Sequence, residues 1–167
     1  HSTGTDGVAL VTEAGAYYYT DARYIEAAMR QVQGAEIHET GRGRGYSVLL
    51  QEAVDKHGIR RMGFEEAYMT VADCEAYRSK LSCELIPASA LLTELRRVKD
   101  EEELSAMIGA QRIAEKAFQD ILKEIRVGVS EREIAARLQY LMLHYGAENM
   151  SFDPIVVAGA NGSVPHG

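Results

Sequence analysis

The order of apolar and polar residues divides the chain into a first part of short alternating elements and a second part of longer helices. In the first part, short runs of β-branched and aromatic residues favour strands, and the segments between them have helical spacing. The predicted elements are a hairpin of strands at 8–12 and 16–20, a helix from 21 to about 32, a strand at 35–39, a helix at 46–57, a strand at 59–64, a helix at 70–81 and a strand at 83–86. This alternation predicts an α/β layer with a largely parallel sheet.

Capping residues mark the ends of these helices. Asp21 is placed to cap the first helix and to pair with Arg23, and Thr70 is placed to cap the helix at 70–81. Gly34 and Gly58 follow the first two helices, where glycine is favoured because it adopts the left-handed conformation without strain. On the helix at 46–57, the residues predicted to lie on one side are Val48, Leu49 and Ala53.

From Lys99 onward the pattern is strongly helical. Asp100 and Glu103 form a capping box, and the helix that they open is predicted to run for about seven turns, roughly 38 Å at 1.5 Å per residue, before Gly128 ends it. Its apolar stripe, predicted to be core, consists of Leu104, Met107, Ile108, Ala114, Phe118, Ile121, Leu122 and Ile125.

A second capping box, Ser130 with Glu133, opens another helix that Gly146 ends. The residues predicted to form its core face are Ile134, Leu138, Leu141, Met142 and Tyr145. The apolar periodicity of both helices therefore indicates packing, and we assign no chemistry to it.

The end of the chain carries the candidate for chemistry. The apolar run at 155–158 predicts a strand, and the glycines and Asn161 after it predict a loop that ends with His166 between Pro165 and Gly167. Loops at strand ends are where polar side chains reach substrates, so His166 is a candidate functional residue. The alternative is an ordinary solvated histidine.

Charge and composition exclude several classes of partner. The net charge of −7 is spread evenly, with 9 basic and 13 acidic residues in 1–92 and 9 and 12 in 93–167, so no nucleic-acid surface is expected. No apolar run approaches the ~20 residues that span a bilayer, and no signal peptide is visible. Cys74 and Cys83 lack metal-site spacing, so we expect two reduced thiols in a cytoplasmic protein.

Sequence motifs argue against three other kinds of site: a phosphate-binding loop, a serine-hydrolase site and a zincin site. The glycine- and arginine-containing loop at 41–45 could bind phosphate, but it lacks the Lys-Ser/Thr ending of a P-loop and the spacing of a dinucleotide fingerprint, so we favour a connecting loop. The chain has no G-x-S-x-G elbow, and Ser163 near His166 has no acid partner, which argues against a serine hydrolase. The absence of H-E-x-x-H excludes a zincin.

Four stretches resemble one family. Residues 151–167, S-F-D-P-I-V-V-A-G-A-N-G-S-V-P-H-G, resemble the segment S-F-x-x-I-V-x-x-G-x-N-x-x-x-P-H of the creatinase/aminopeptidase-P/prolidase family, the "pita-bread" metallopeptidases that cleave Xaa-Pro bonds. The other three are T-G-T-D-G with T-D-A-R-Y in 3–24, R-V-K-D-E-E-E-L at 97–104 and G-V-S-E-R-E-I-A at 128–135. The resemblance covers nearly the whole chain. It implies an α/β fold (α+β overall), with a creatinase-type N-terminal domain at 1–92, its start truncated, and the first part of a pita-bread catalytic domain at 93–167.

The same resemblance implies a portion of a metal-dependent peptidase that hydrolyses the bond before proline in a dipeptide or longer peptide. In the family, the histidine matched by His166 contacts the substrate and assists proton transfer. Two divalent ions, expected to be Mn²⁺, Co²⁺ or Zn²⁺, are held by two aspartates, a histidine and two glutamates that follow the P-H-G segment, so none maps onto a residue here. We therefore expect no metal site and no activity from this chain alone, and a homodimer for the full protein.

Two alternatives keep the fold and change the function. Creatinase is a metal-independent amidinohydrolase that also uses a histidine at this position, although the ending Pro165-His166-Gly167 favours the peptidases. Pita-bread domains without metal sites also serve as partner-binding modules, and the retained loop before His166 weighs against that alternative.

Overall fold

The computed structural model describes residues 6–164 and groups the chain into two compact units, His1–Arg97 and Val98–Gly167. The first unit contains β1 (Gly7–Thr12), β2 (Gly15–Thr20), α1 (Ile25–Gln31), β3 (Ala35–Glu39), α2 (Tyr46–His57), β4 (Arg61–Phe64), α3 (Val71–Arg78), β5 (Glu84–Pro87) and α4 (Ser89–Arg97). The second contains α5 (Glu101–Ile121), α6 (Glu131–His144) and a short 3-10 helix at Gly159–Ser163. The mixed α/β fold predicted from the sequence is confirmed.

The five strands of the first unit form two sheets. β1 and β2 are antiparallel, with Thr12 opposite Gly15, so the predicted hairpin is confirmed. β3 pairs in parallel with β2, and β5 pairs in parallel with β4. Each parallel pair needs a crossover connection, which α1 and α3 supply. Parallel pairing is thus present as expected, but the described strands do not form the single sheet that their alternation with helices suggests.

One buried cluster joins both sheets to α2. Its members are Leu10, Tyr17, Tyr19, Leu49, Leu50, Ala53, Leu81 and Leu85. Leu49 is 2% exposed, as its predicted core position requires, whereas Val48 is 40% exposed. At 3.6 residues per turn, Val48 projects from the side of α2 opposite to Leu50 and Ala53. The prediction that Val48 shares the core face is therefore wrong.

The first helix begins later than predicted, because Asp21 forms a turn instead of a cap. The side chain of Asp21 accepts a hydrogen bond from the backbone N–H of Arg23 at 2.8 Å, and its carbonyl accepts from the N–H groups of Tyr24 and Ile25. α1 then starts at Ile25, and Tyr24 at its N-cap makes no side-chain cap. Aspartate can bond to the backbone two residues ahead, which competes with helix capping. The predicted Asp21–Arg23 pair is confirmed and the predicted cap is wrong.

A helix that the sequence pattern does not predict, α4, follows β5 directly. Its start is capped from a distance, since Oε2 of Glu66 accepts hydrogen bonds from the backbone N–H groups of Ala88 and Ser89, each at 2.9 Å. These bonds, led by the one from Ser89, hold the pKa of the Glu66 carboxyl below its usual range. A cap from a remote residue leaves no local sequence signal. The apolar side chains Leu91 and Leu95 of α4 are 64% and 68% exposed.

Both capping boxes of the second unit are confirmed. At the start of α5, Asp100 accepts from the N–H of Glu103 at 2.8 Å and Glu103 accepts from the N–H of Asp100 at 2.9 Å. Ser130 and Glu133 make the same reciprocal pair at the start of α6. α5 ends at Ile121 and continues as a turn, so it is shorter than the helix that the pattern predicts up to Gly128.

α5 and α6 pack through a narrow band of side chains. Ala117 and Ile121 of α5 and Leu141 of α6 are buried, and the residues packed against them are Ile134, Leu138, Met142 and Tyr145, which confirms the predicted face of α6. The stripe of α5 is largely uncovered, since each of the following is about half exposed: Leu104, Met107, Ile108, Phe118, Leu122 and Ile125. One helix covers only one ridge or groove of its neighbour, so α6 cannot bury the whole stripe. The prediction that this stripe is core holds for Ile121 and is wrong for the exposed positions.

Acidic pH is expected to destabilise the second unit. The backbone N–H of Ser130, and after it the Ser130 hydroxyl, donates hydrogen bonds that lower the pKa of the Glu133 carboxyl. The Lys123 ammonium, and to a smaller extent the Tyr145 hydroxyl, lowers the pKa of the Asp120 carboxyl by hydrogen bonding. A carboxyl with a lowered folded-state pKa adds stability above its unfolded pKa, and that stability is lost as the pH falls through the folded value. We expect the melting temperature to be constant from about pH 7 to 5 and to fall below roughly pH 4.5.

Melting followed by far-ultraviolet circular dichroism tests this prediction. Glu133→Gln is the matched variant, because glutamine preserves the capping geometry and does not ionise in this range. Its melting temperature should fall less on acidification than that of the wild type. Equal losses in the two proteins would contradict the assignment to Glu133.

Candidate functional site

The candidate residue His166 lies outside the described residues, as do its neighbours Pro165 and Gly167. The structure describes the segment that leads to it as far as Val164. The role of His166 therefore stays a prediction, and the geometry of the site begins with the residues that hold this segment.

The apolar run at 155–158 is not the predicted strand. Its residues join no β-ladder in the described chain, and the backbone passes from an extended Ala158 into the 3-10 helix. A strand needs a partner for its N–H and C=O groups. Gly159 has a φ of +55°, a left-handed conformation that glycine adopts without strain, and it turns the chain at this point. The predicted loop after the run is thus a short helical turn.

Glu131 of α6 holds this turn. Its Oε1 accepts a hydrogen bond from the backbone N–H of Ala158 at 2.6 Å. The side-chain amide of Asn161 donates to both carboxylate oxygens of Glu131, at 3.2 Å to Oε1 and 3.1 Å to Oε2. The two partners lie 27 and 30 residues after Glu131 in the sequence. One half-buried carboxylate therefore connects the first turn of α6 to the segment before His166.

The capping box explains why Glu131 is available for these contacts. Ser130 and Glu133 satisfy each other at the helix start, which leaves Glu131, the first residue of α6, without a role in the cap. A carboxylate is also stabilised at the positive end of the helix dipole. Sequence reasoning did not identify Glu131 as a site residue; the only signal was a second acidic residue in a capping box that needs one.

Asp6 meets residues of the T-D-A-R-Y stretch in an ion-pair cluster beside the sheet of β1 and β2. Arg23 bonds Asp6 at 2.7 Å and Asp21 at 2.6 Å. The hydrogen bond from the Arg23 guanidinium to Asp21 holds the pKa of the Asp21 carboxyl below its usual range. Thr20, which is fully buried, donates its hydroxyl to the backbone carbonyl of Asp6 at 2.7 Å. These residues fasten the start of β1 to the end of β2. Their role in the described structure is to hold this corner of the fold.

The glycine- and arginine-containing loop is a tight connection between β3 and α2. Gly41 and Arg44 exchange backbone hydrogen bonds at 3.0 and 2.9 Å. The guanidinium of Arg44 bonds Glu52 at 2.6 and 3.1 Å, so an anion would have to displace that carboxylate. This geometry agrees with the favoured connecting loop and gives no support to a phosphate site.

The described residues contain neither a metal-ligand group nor a membrane-spanning helix. Within residues 6–164, no three or more His, Cys, Asp and Glu side chains come together in a way that could hold a metal ion. Cys74 and Cys83 are both free thiols. None of the helices in this range is both long and apolar enough to cross a membrane.

Family comparisons cover both units. The family model described as the Creatinase/Prolidase N-terminal domain matches residues 2–98, and that of Metallopeptidase family M24 matches residues 105–167. The peptidase YqhT of Bacillus subtilis, described as uncharacterized, is 38% identical over 169 residues, which cover 99% of this chain and 46% of that protein.

Solved structures give the same result. A Xaa-Pro dipeptidase from Bacillus anthracis superposes with a TM-score of 0.82 and 36% identity, over 90% of this chain and 42% of that one. An X-Pro aminopeptidase from Thermotoga maritima superposes with a TM-score of 0.85 and 30% identity, over 91% of this chain and 43% of that one.

The matches define a class in which a creatinase/prolidase-type α/β domain precedes a metallopeptidase domain. The chain belongs to the creatinase/prolidase family of M24 metallopeptidases. It spans less than half the length of the relatives named above.

Proposed function

We propose that this chain is a portion of a metal-dependent Xaa-Pro peptidase, which hydrolyses the peptide bond before proline in a dipeptide or longer peptide. The observation that supports it most is the likeness to the Bacillus anthracis Xaa-Pro dipeptidase, which extends over 90% of the chain at 36% identity. The likeness to an X-Pro aminopeptidase supports the same bond specificity and leaves dipeptidase and aminopeptidase as two forms of one proposal.

His166 is proposed to contact the substrate and to assist proton transfer. The nitrogen that leaves when an Xaa-Pro bond breaks is the ring nitrogen of proline, which needs a proton to depart as a neutral amine. Imidazole has an unperturbed pKa of about 6.5, so near neutral pH it can both hold and give up a proton. A histidine within hydrogen-bond distance of the substrate is therefore suited to this step.

The metal requirement is proposed for the full polypeptide. The described residues offer no ligand group that fits a metal ion, so no step is assigned to a metal held by them. We assign the two divalent ions, Mn²⁺, Co²⁺ or Zn²⁺, to residues outside this chain, and we expect residues 1–167 alone to be inactive. The proposal also includes a homodimer in the cytoplasm and, from the even distribution of acidic and basic residues, no nucleic-acid partner.

The test is release of proline by the full polypeptide. After its intact mass has been measured against the 18.4 kDa of this chain, the purified protein is assayed with Mn²⁺ on an Xaa-Pro dipeptide and on the same dipeptide with alanine in place of proline. We expect the full polypeptide to hydrolyse the Xaa-Pro dipeptide and not the alanine-containing one. Chelation of the metal should abolish this hydrolysis, and residues 1–167 alone should hydrolyse neither substrate.

Other outcomes would replace the proposal. Metal-independent hydrolysis of creatine would support the amidinohydrolase. No hydrolysis with any divalent metal would support a partner-binding module.

A further inference from the structure

We infer that Glu131 is a positioning residue that clamps the segment 158–161 and thereby fixes the approach of the chain to His166. The effect on His166 rests on the proposed function, whereas the clamp consists of contacts among described residues. Glu131 lies 27 and 30 residues before the two residues that it holds.

The contacts give the clamp two separate points of attachment. One is the backbone N–H of Ala158, where the segment enters the 3-10 helix, and the other is the side-chain amide of Asn161 within it. Both oxygens of Glu131 are used. Because hydrogen bonds to an ionised carboxylate are stronger than those between neutral groups, the clamp resists both displacement and rotation of the turn.

Glu131, which forms the clamp, belongs to α6, a helix that packs against α5. α6 is anchored to α5 through the buried side chains Leu141, Ala117 and Ile121. The capping box of Ser130 and Glu133 fixes where α6 starts and hence where the neighbouring carboxylate lies. A site held from a rigid helix is more precise than one held by a loop alone.

Holding the turn limits where His166 can reach. His166 follows Asn161 by five positions in the sequence, and five residues span at most about 17 Å when extended. Release of the turn at 158–161 would shift Asn161, the residue from which this short distance is counted. A displacement of about 1 Å at a reacting group can lower a rate by as much as ~10²-fold, so a positioning residue affects kcat without contacting the substrate.

Hydrogen exchange of peptides covering 158–164 tests the clamp without reference to activity. In the full polypeptide, Glu131→Ala is expected to accelerate exchange there by about tenfold, as loss of bonds to a charged group implies. The matched control is Arg132→Ala, which removes a long, exposed, charged side chain from the same helical turn and leaves both the capping box and the clamp in place. Equal acceleration by the two variants, or none by Glu131→Ala, would overturn the inference.

A swap of the two partners separates positioning from general loss of structure. Asn161→Asp alone places two carboxylates together and should accelerate exchange and lower kcat. Adding Glu131→Gln restores an amide facing a carboxylate, and its carbonyl oxygen can still accept from Ala158. We expect the double variant to recover most of the exchange protection and of kcat, with KM changed less than kcat. No recovery would contradict the clamp.

The exchange measurement tests the clamp, and the activity measurement on the wild-type protein tests the proposed peptidase function, so either can be contradicted without the other. If Glu131→Ala loosens the segment in a protein that hydrolyses no Xaa-Pro substrate, the clamp stands and the proposed peptidase function falls. If wild-type activity is present and Glu131→Ala leaves both exchange and kcat unchanged, the clamp falls and the proposed function stands.

Discussion

His166→Ala in the full polypeptide is expected to lower kcat for an Xaa-Pro dipeptide by about 10²–10⁴-fold, the usual contribution of a positioned proton-transfer group. The expectation follows from the proposed role of His166 at the departing proline nitrogen. KM should rise as well, because the same side chain is proposed to contact the bound substrate. Steady-state kinetics at saturating metal separate the two effects.

A second histidine of the same unit provides the control. His144 stacks on Tyr140 with ring centroids 5.6 Å apart, near the end of α6 that is remote from Glu131. His144→Ala is expected to leave kcat within about twofold of the wild-type value. Similar losses in the two variants would contradict a specific role for His166, and an unchanged kcat in His166→Ala would remove it from the mechanism.

Features governed by neighbours in sequence could be predicted, because their partners lie within a few residues. Both capping boxes of the second unit were foreseeable, since Asp100 and Ser130 bond residues three positions ahead. Thr70 caps α3 through the N–H of Asp73 for the same reason. The hairpin of β1 and β2 likewise depends on a short connection between two strand-forming runs.

Features governed by distant partners could not be predicted. α4 depends on Glu66, which lies 22 residues before the first N–H that it caps. The run at 155–158 has the composition of a strand, but composition does not supply the neighbouring strand that would make it one. The stripe of α5 shows the same limit, because periodicity identifies an apolar face and not what covers it.

The candidate site likewise contains one residue that contiguous sequence reveals and one that depends on distant partners. His166 was found through a resemblance carried by contiguous residues, and the structure does not describe its position. Glu131 was missed because its partners, Ala158 and Asn161, are separated from it by most of α6 and the following loop. Spacing in the sequence cannot reveal a carboxylate that acts across such a distance, whereas three hydrogen bonds in the structure do.

Leu49→Ala is expected to lower the free energy of unfolding of the first unit by about 3 kcal/mol, within the ~2–5 kcal/mol typical of buried leucine. Leu49 is 2% exposed and belongs to the cluster that joins both sheets to α2. Removing its side chain creates a cavity at that junction and takes away contacts that the surrounding strands cannot replace by relaxing. Urea denaturation followed by near-ultraviolet circular dichroism measures this, because Tyr17 and Tyr19 lie in the same cluster.

The neighbouring residue provides a sharp control. Val48 is 40% exposed and Leu49 only 2%, so Val48→Ala removes less buried surface than Leu49→Ala, and alanine has the higher helix propensity. Its free energy of unfolding should stay within about 0.5 kcal/mol of the wild-type value. If both variants were destabilised equally, the core face of α2 would include Val48, as the apolar pattern alone suggests. Destabilisation by Leu49→Ala alone would show that α2 is rotated as described, with Leu49 and not Val48 facing the core.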